Sequence, residues 1–284
     1  MDQIVVTGCE GQLGSELCRQ LGAAAAGVDL PAFDLADPGR VREVLLALRP
    51  RAVVNTAAYV QVDKAEDEPE LCWAANAESV ACLAEVCREL RCPLVQISTD
   101  YVFGADGGRS TPYRETDPPG PLGVYARSKL EGERRAAQWE KHIIVRTCGL
   151  YGRPGPRSSG NFVETMLRLG SAGKPLRVVR DQHCTPSYVP HVARAVRFLL
   201  EGEHYGTYHV VNRGATTWFD FAAAIFRLAG VSVDLQPIPS SEYPTKAPRP
   251  AYSVLDTGKY HAIPGGTKIP FWEDALAEYL SSRT

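Results

Sequence analysis

The sequence predicts an α/β fold in which a doubly wound parallel sheet carries a smaller, discontinuous lobe built from the second half of the chain. Short β-branched runs recur at residues 3–7, 53–57, 94–98 and 142–146, amphipathic helical patterns lie between them, and a glycine-rich turn follows the first run. This alternation is typical of a parallel sheet with helices on both faces. The 284 residues, 44% of them hydrophobic, are enough for a sheet core and a second lobe.

The first predicted strand, residues 3–7, leads directly into the turn GCEGQLG and then into an amphipathic helix. Glycines at 8, 11 and 14 allow the chain to turn tightly and to approach a pyrophosphate, whose charge is stabilised at a helix N-terminus. The Gly-x-x-Gly-x-x-Gly spacing departs from the Gly-x-Gly-x-x-Gly dinucleotide pattern. Because the turn follows the first strand, we predict a Rossmann-like cofactor site that includes Gly8, Gly11 and Gly14.

The second predicted strand follows the small apolar run AAAAGV and ends near Asp29. An acidic residue at that place hydrogen-bonds the adenine-side ribose, and Asp34 competes for a role near the adenine. A carboxylate there repels a 2′-phosphate, so NADH should be accepted at least as well as NADPH. An aspartate in this region could instead cap the helix that begins near Pro38, and we assign that structural role to Asp37.

The later strands should end at the same edge of the sheet, which places residues 57–59 and 98–100 beside a ligand. The stretch 104–123 is rich in Gly, Pro, Asp and Arg, and a loop of this length indicates a lid or a substrate loop.

The second half of the chain is of mixed pattern. GNFVETMLRL, HVARAVRFLLEG and WFDFAAAIFRLAG predict helices, and TYHVVN predicts a strand. We therefore expect a dinucleotide-binding domain over 1–150 and a mainly substrate-binding lobe over 151–284, with some later segments rejoining the sheet.

Tyr125 and Lys129 lie one turn apart on one face of a predicted helix at 124–139, after the Thr99 hydroxyl at a strand end. A hydroxyl, a phenol and an ammonium together indicate a carbonyl-reducing site. A free tyrosine titrates near ~10, and a nearby cation should bring its pKa closer to the working pH. A Tyr-x-x-x-Lys pattern also occurs by chance at helix starts, and the glycine turn is what favours the functional interpretation.

Composition excludes several classes of protein. The formal net charge of −2 implies no nucleic-acid partner, and no apolar run approaches the length of a membrane span. The start, Met1-Asp2-Gln3, enters a strand without a signal-like segment, which predicts a cytoplasmic location. The eight cysteines include no Cys-x-x-Cys pair and no histidine at zinc spacing, so we predict no metal and mostly buried thiols. Cys9 is the exception to this expected burial, because it lies in the glycine turn beside the predicted cofactor site.

Several longer segments resemble the extended short-chain dehydrogenase/reductases, and more closely the dTDP-4-dehydrorhamnose reductases. The resemblance covers nearly the whole chain, and it is carried by TGCEGQLG, VNTAAYVQVDKAEDEPE, STDYVFGADG, PYRETDPPGPLGVYARSKLEGE, GNFVETMLRL, DQHCTPS and RPAYSVLDTGK. It implies NAD(P)H-dependent reduction of the 4-keto group of dTDP-4-dehydro-L-rhamnose to dTDP-L-rhamnose. It leaves open whether the protein forms a homodimer.

The resemblance also implies roles for individual residues. Tyr125 would protonate the C4 oxygen, Lys129 would hold the nicotinamide ribose, and Thr99 would orient the ketone. The remaining cofactor contacts would run from the pyrophosphate to the adenine end and along the third strand, at Gly11, Gln12, Leu13, Asp34, Leu35, Ala58, Tyr59 and Val60. Asp100 would neighbour the substrate. Asn161 and Arg249 suit a nucleotide diphosphate, although either could be a structural loop residue.

This chain departs from the family pattern in three places. Gly149 stands where relatives carry a tryptophan that packs on the sugar, and Cys9 replaces a basic residue suited to a 2′-phosphate. Glu16 matches one ligand of a Mg²⁺ site found in some relatives, but Pro190 replaces the other, so we predict no metal requirement.

Two alternatives stay open. One is a reductase or epimerase that acts on another nucleotide-linked keto sugar. The other is a non-catalytic regulatory subunit that binds a dinucleotide, like the β subunit of methionine adenosyltransferase. The complete set of Thr99, Tyr125 and Lys129 favours an enzyme, and Gly149 favours the alternatives.

Overall fold

The computed structural model describes residues 3–158 and 160–283. The Met1-Asp2 start, to which the expected absence of a signal segment refers, lies outside the described residues. The strands are β1 (Ile4–Thr7), β2 (Ala25–Val28), β3 (Ala52–Asn55), β4 (Leu94–Thr99), β5 (His142–Thr147), β6 (Leu150–Tyr151), β7 (Leu176–Val179), β8 (His183–Cys184), β9 (Ser187–Tyr188), β10 (Gly206–His209), β11 (Thr216–Thr217) and β12 (Leu235–Ile238). The helices are α1 (Gln12–Leu21), α2 (Pro38–Leu48), α3 (Pro69–Trp73), α4 (Ser79–Leu90), α5 (Val124–Ala136), α6 (Phe162–Gly170), α7 (Val189–Glu201), α8 (Trp218–Ala229), α9 (Gly258–His261) and α10 (Trp272–Ser281).

The central sheet has six parallel strands in the order β10-β5-β4-β3-β1-β2. The chain runs from β1 to β2 on one side and then returns to β3 on the other side of β1. The crevice at the carboxyl ends of β1 and β3 is therefore the place where such sheets bind ligands. The predicted doubly wound parallel sheet is confirmed, and β10, from the second half of the chain, forms one of its edges.

Alternate residues of the β-branched strands cover the two faces of the sheet. Ile4 and Val6 pack with α1 and α7, whereas Val5 packs with α2 and α4. All three side chains are completely buried, as expected for a sheet that helices cover on both faces. A separate apolar cluster joins α6, α8 and α10 and forms the core of the second lobe.

The helical stretch between β3 and β4 contains a π-helical segment at Ala74–Glu78 between α3 and α4. Helix α5 crosses this segment so closely that a Cβ on Gly132 would collide with the Asn76 carbonyl oxygen. Single π turns of this kind occur frequently at functional sites. In the described ranges, no helix has both the length and the apolar character that crossing a membrane requires.

Candidate active site

The glycine turn joins β1 to α1 and packs directly on the segment after β3. Gly8 has φ +67°, and a Cβ there would lie 2.8 Å from the Ala57 amide nitrogen. A Cβ on Gly14 would collide with the Gly8 carbonyl oxygen. Side chains are therefore excluded at both positions, and the backbone forms an open cradle at the N-terminus of α1, which suits a pyrophosphate.

A cleft of about 650 Å³ begins at this cradle and follows the carboxyl ends of the strands. Most of the predicted cofactor and catalytic residues line it: Gly8, Gly11, Gln12, Leu13, Asp29, Asp34, Leu35, Ala58, Tyr59, Val60, Thr99, Tyr125 and Lys129. The other predicted residues, Gly14, Asp100, Asn161 and Arg249, lie outside this lining. Sequence reasoning did not select Cys148, Leu150, Arg157, Ser158 or Gly160, which the fold also brings to the cleft.

Asp29 follows β2, and the glycine turn fixes its carboxylate at the rim of the cleft. One oxygen accepts a hydrogen bond from the Glu10 amide and the other from the Leu30 amide, both at 2.8 Å. Asp34 forms a local turn in which Oδ1 accepts from the Ala36 amide. Asp37 caps α2 by accepting from the Arg40 amide, which confirms the structural role predicted for it.

Three polar groups meet at the far end of the cleft. Thr99 ends β4, and its hydroxyl lies beside the Tyr125 phenol, which the first turn of α5 presents. Thr99 Oγ1 also donates to Asp100 Oδ1 at 3.1 Å. Lys129 is 4% exposed, and its Nζ donates to the Ile97 carbonyl oxygen at 2.6 Å.

Burial controls the protonation of both ionisable groups in this set. Desolvation raises the pKa of Tyr125, the Asp100 charge adds to the rise, and the Thr99 hydrogen bond opposes it. The expectation that Lys129 lowers the pKa of this phenol is therefore wrong for this structure. The Lys129 ammonium bonds the Ile97 carbonyl, and burial of the phenol raises its pKa. Desolvation lowers the pKa of Lys129 itself to about 8, against the opposing charge of Glu133. The phenol is thus held protonated at neutral pH.

Asp100 connects the two lobes. Its carboxylate is 2% exposed and accepts from the Ser253 hydroxyl at 2.5 Å. Burial raises the pKa of Asp100 to about 6. This network places the carboxylate behind Thr99 instead of in the open cleft.

Asn161 and Arg249 both have structural partners within the protein. Asn161 caps α6 by accepting from the Glu164 amide, and its Nδ2 donates to the Gly152 carbonyl. Arg249 Nη2 donates to Asp63 Oδ2 at 2.8 Å. The role of both residues in diphosphate binding stays a prediction.

Two aromatic side chains pack against residues of the cleft: Tyr101 lies beside Tyr125, and Trp218 lies beside Gly149. The Tyr101 ring meets the Tyr125 ring edge-on at 6.3 Å between centroids, and the Arg249 guanidinium lies 6.0 Å from the Tyr101 ring. A Cβ on Gly149 would lie 3.1 Å from Cη2 of Trp218, which begins α8. The space that a side chain at 149 would enter is therefore filled by an indole, which the sequence pattern had indicated only as part of an apolar helix face.

The long loop 104–123 is held against the second lobe. The Tyr113 amide donates to the Val254 carbonyl at 2.8 Å, and the Tyr113 ring stacks on Phe103 at 4.2 Å. The function of this loop as a lid or a substrate loop stays a prediction.

A buried ion pair fixes α5 on the sheet. Arg146 of β5 donates to both oxygens of Glu133, at 2.9 and 2.7 Å, and both side chains are nearly inaccessible to solvent. The Ser98 hydroxyl donates to the same carboxylate at 2.5 Å. Because Glu133 lies one turn beyond Lys129 on α5, this pair sets how the face of the helix that carries Lys129 meets β4.

Comparisons with known proteins agree with this geometry. The family model described as RmlD substrate binding domain matches residues 1–284. The spore coat polysaccharide biosynthesis protein SpsK of Bacillus subtilis (strain 168) is 39% identical, with coverage of 100% of this chain and 99% of its own. The dTDP-4-dehydrorhamnose reductase of Streptomyces griseus is 40% identical, with coverage of 96% and 91%.

Solved structures give the same relationship. The dTDP-4-dehydrorhamnose reductase of Bacillus anthracis str. Ames, in complex with NADP, is 35% identical with a TM-score of 0.93, and the match covers 99% of this chain and 100% of that one. Both the sequence and the fold are thus matched along essentially their full length. The chain belongs to the RmlD family, which includes these dTDP-4-dehydrorhamnose reductases.

Proposed function

We propose that this protein reduces the 4-keto group of dTDP-4-dehydro-L-rhamnose to dTDP-L-rhamnose with a nicotinamide dinucleotide as hydride donor. The observation that carries the proposal is the placement of the Tyr125 and Thr99 hydroxyls at one end of a cleft whose other end is a side-chain-free cradle beside Asp29. The names of full-length relatives support the same reaction.

Each residue of the set has a distinct task. The cofactor supplies the hydride that reaches C4 of the sugar. Tyr125 gives its proton to the C4 oxygen as negative charge develops there, and Thr99 holds the ketone in line with the phenol. Lys129, fixed by Ile97, offers its remaining donors to the hydroxyls of the nicotinamide ribose. The elevated pKa of Tyr125 keeps the proton in place until the carbonyl oxygen becomes basic.

The aromatic surface on the sugar side has an unusual origin in this chain. Gly149 has no side chain, but the Trp218 indole occupies the adjacent space and packs on Phe162 at 4.8 Å between centroids. We assign the contact surface for the sugar to Trp218. The absence of a side chain at Gly149 was the sequence feature that favoured a different sugar or a regulatory subunit. With Trp218 in the adjacent space, that feature carries less weight.

The proposal is tested by following NADH absorbance with dTDP-4-dehydro-6-deoxy-D-glucose and a 3,5-epimerase, with identification of the sugar product. One NADH should be consumed for each dTDP-L-rhamnose formed, and omission of the epimerase should stop the reaction. An epimerase would show no net loss of NADH. A regulatory subunit would bind NADH without oxidising it in the presence of this substrate.

Asp29→Asn is expected to shift cofactor preference toward NADPH, because it removes the charge that repels a 2′-phosphate but retains a carbonyl acceptor for the turn. The measurement is the ratio of kcat/KM for NADPH to that for NADH, which we expect to rise about tenfold. Asp34→Asn, which removes a charge from the same lining, tests the competing aspartate and should change the ratio less. An unchanged ratio in Asp29→Asn would mean that another residue reads the ribose.

Raising the pH through about 8 is expected to weaken NADH binding, because the buried Lys129 is charged below its lowered pKa and neutral above it. The dissociation constant, followed by NADH fluorescence, should rise as this cation is lost. Lys129→Met should bind NADH weakly and without this pH dependence. Constant wild-type affinity to about pH 9.5, well past the shifted pKa, would contradict the role given to Lys129.

The division of the chain, its location and its assembly are further parts of the proposal. We place cofactor binding mainly in residues 1–150 and sugar binding mainly in 151–284. The eight free cysteines fit a reducing compartment, which supports a cytoplasmic location.

A homodimer is tested by light scattering during size-exclusion chromatography, with and without Mg²⁺. Pro190 lies beside Glu16, so we expect the metal to have no effect on the assembly.

A further inference from the structure

A segment of the second lobe, residues 152–158, crosses over the glycine turn. The Arg157 amide donates to the Glu10 carbonyl at 3.0 Å. Gly155 is so close to the turn that a Cβ on it would collide with the carbonyl oxygens of Glu10 and Gly11. The loop is therefore seated on the backbone of the turn that forms the cofactor cradle.

The Arg157 side chain reaches from this loop to the ribose end of the cleft. Its Nη1 donates to the Leu30 carbonyl at 3.0 Å, one residue beyond Asp29. Its Nε lies 3.9 Å from Glu10 Oε2, and half of the side chain stays exposed. A guanidinium has five N–H donors, so these two neighbours leave donors available at the rim.

The charges at this rim oppose one another. Asp29 and Glu10 repel a 2′-phosphate, whereas Arg157 offers a planar set of donors that matches phosphate oxygens. Among the described residues that line the cleft, Arg157 and Lys129 are the cationic ones, and Lys129 bonds Ile97 at the other end. Arg157 is thus the cation placed to offset the two carboxylates.

We propose that Arg157 determines how well the enzyme accepts NADPH, by pairing with the 2′-phosphate of the cofactor. The inference rests on the proposed use of a nicotinamide dinucleotide. It makes cofactor choice a property of a loop from the second lobe as well as of the first domain. Asp29 favours NADH, and Arg157 allows NADPH to bind in spite of it.

The test compares Arg157→Gln with Arg153→Gln, an exposed arginine of the same segment that faces a different groove. Dissociation constants of NADPH and NADH are measured by fluorescence without any sugar. We expect Arg157→Gln to weaken NADPH about tenfold, as for loss of one charge-assisted contact, and NADH less than about twofold. Arg153→Gln should change neither constant.

Adenosine 2′,5′-bisphosphate and ADP serve as minimal competitors, because only the first carries the 2′-phosphate. The affinity of the bisphosphate should fall in Arg157→Gln while that of ADP is retained. In the wild type, added salt should weaken the binding of the bisphosphate, because it screens the pairing with Arg157. Equal weakening of both cofactors would mean that Arg157 only holds the loop, and no weakening would mean that it makes no contact. Either result overturns the inference. Because no sugar is present, failure of the reductase assay leaves this test unaffected.

Discussion

Tyr125→Phe is expected to lower kcat by about 10²- to 10⁴-fold while NADH binding stays close to that of the wild type. The variant keeps the ring that meets Tyr101 edge-on and loses only the hydroxyl that lies beside Thr99. The proton for the C4 oxygen must then come from water, which is a poorly positioned donor. Binding is retained because the cradle at Gly8 and the rim at Asp29 do not depend on the phenol.

Tyr101→Phe is the matched control, because its ring lies beside Tyr125 and its hydroxyl has no part in the proposed proton transfer. Turnover is measured by NADH loss and binding by fluorescence, with the melting temperature as a check on folding. We expect the control to keep turnover within about an order of magnitude of the wild type. Wild-type turnover in Tyr125→Phe would remove the phenol from the mechanism.

The parts of the site that follow from local chain properties were predictable. The turn after β1 needs glycine because Gly8 has positive φ and Gly14 packs on its carbonyl, and both constraints appear in the spacing of the motif. The Asp37 cap likewise depends only on its neighbour Pro38. Strands β1, β3, β4 and β5 were recognisable from their buried β-branched runs.

The parts that depend on contacts between distant segments were not predictable. The pKa of Tyr125 is set mainly by burial in the folded protein, which helix spacing does not reveal. Trp218 reaches the space beside Gly149 only because α8 docks there, and Arg157 reaches Leu30 only because its loop crosses the glycine turn. A single sequence indicates which residues carry chemistry, but not which of them tertiary packing brings together.

The buried pair of Glu133 and Arg146 supplies the second large effect. Glu133→Gln is expected to lower the free energy of unfolding by ~3–5 kcal/mol, because Arg146 is left buried without its counter-charge. The neighbouring His209, whose Nε2 lies 3.3 Å from Arg146 Nη1, cannot replace the carboxylate because an imidazole carries no negative charge. Chemical denaturation measures the loss, with one shared slope of unfolding free energy against denaturant concentration fitted to the wild type and the variant.

Glu131→Gln is the control on the same helix. Glu131 pairs with the exposed Arg134 and Arg135, and such surface pairs contribute at most about 1 kcal/mol. The double variant Glu133→Leu with Arg146→Met removes both buried charges, so it should be less destabilised than the single Glu133→Gln. If the double variant were instead the less stable of the two, the loss would come from the shape of the packing and not from the unpaired charge. In either variant, a shifted α5 should lower kcat through the displaced Tyr125 more than it weakens NADH binding at the cradle.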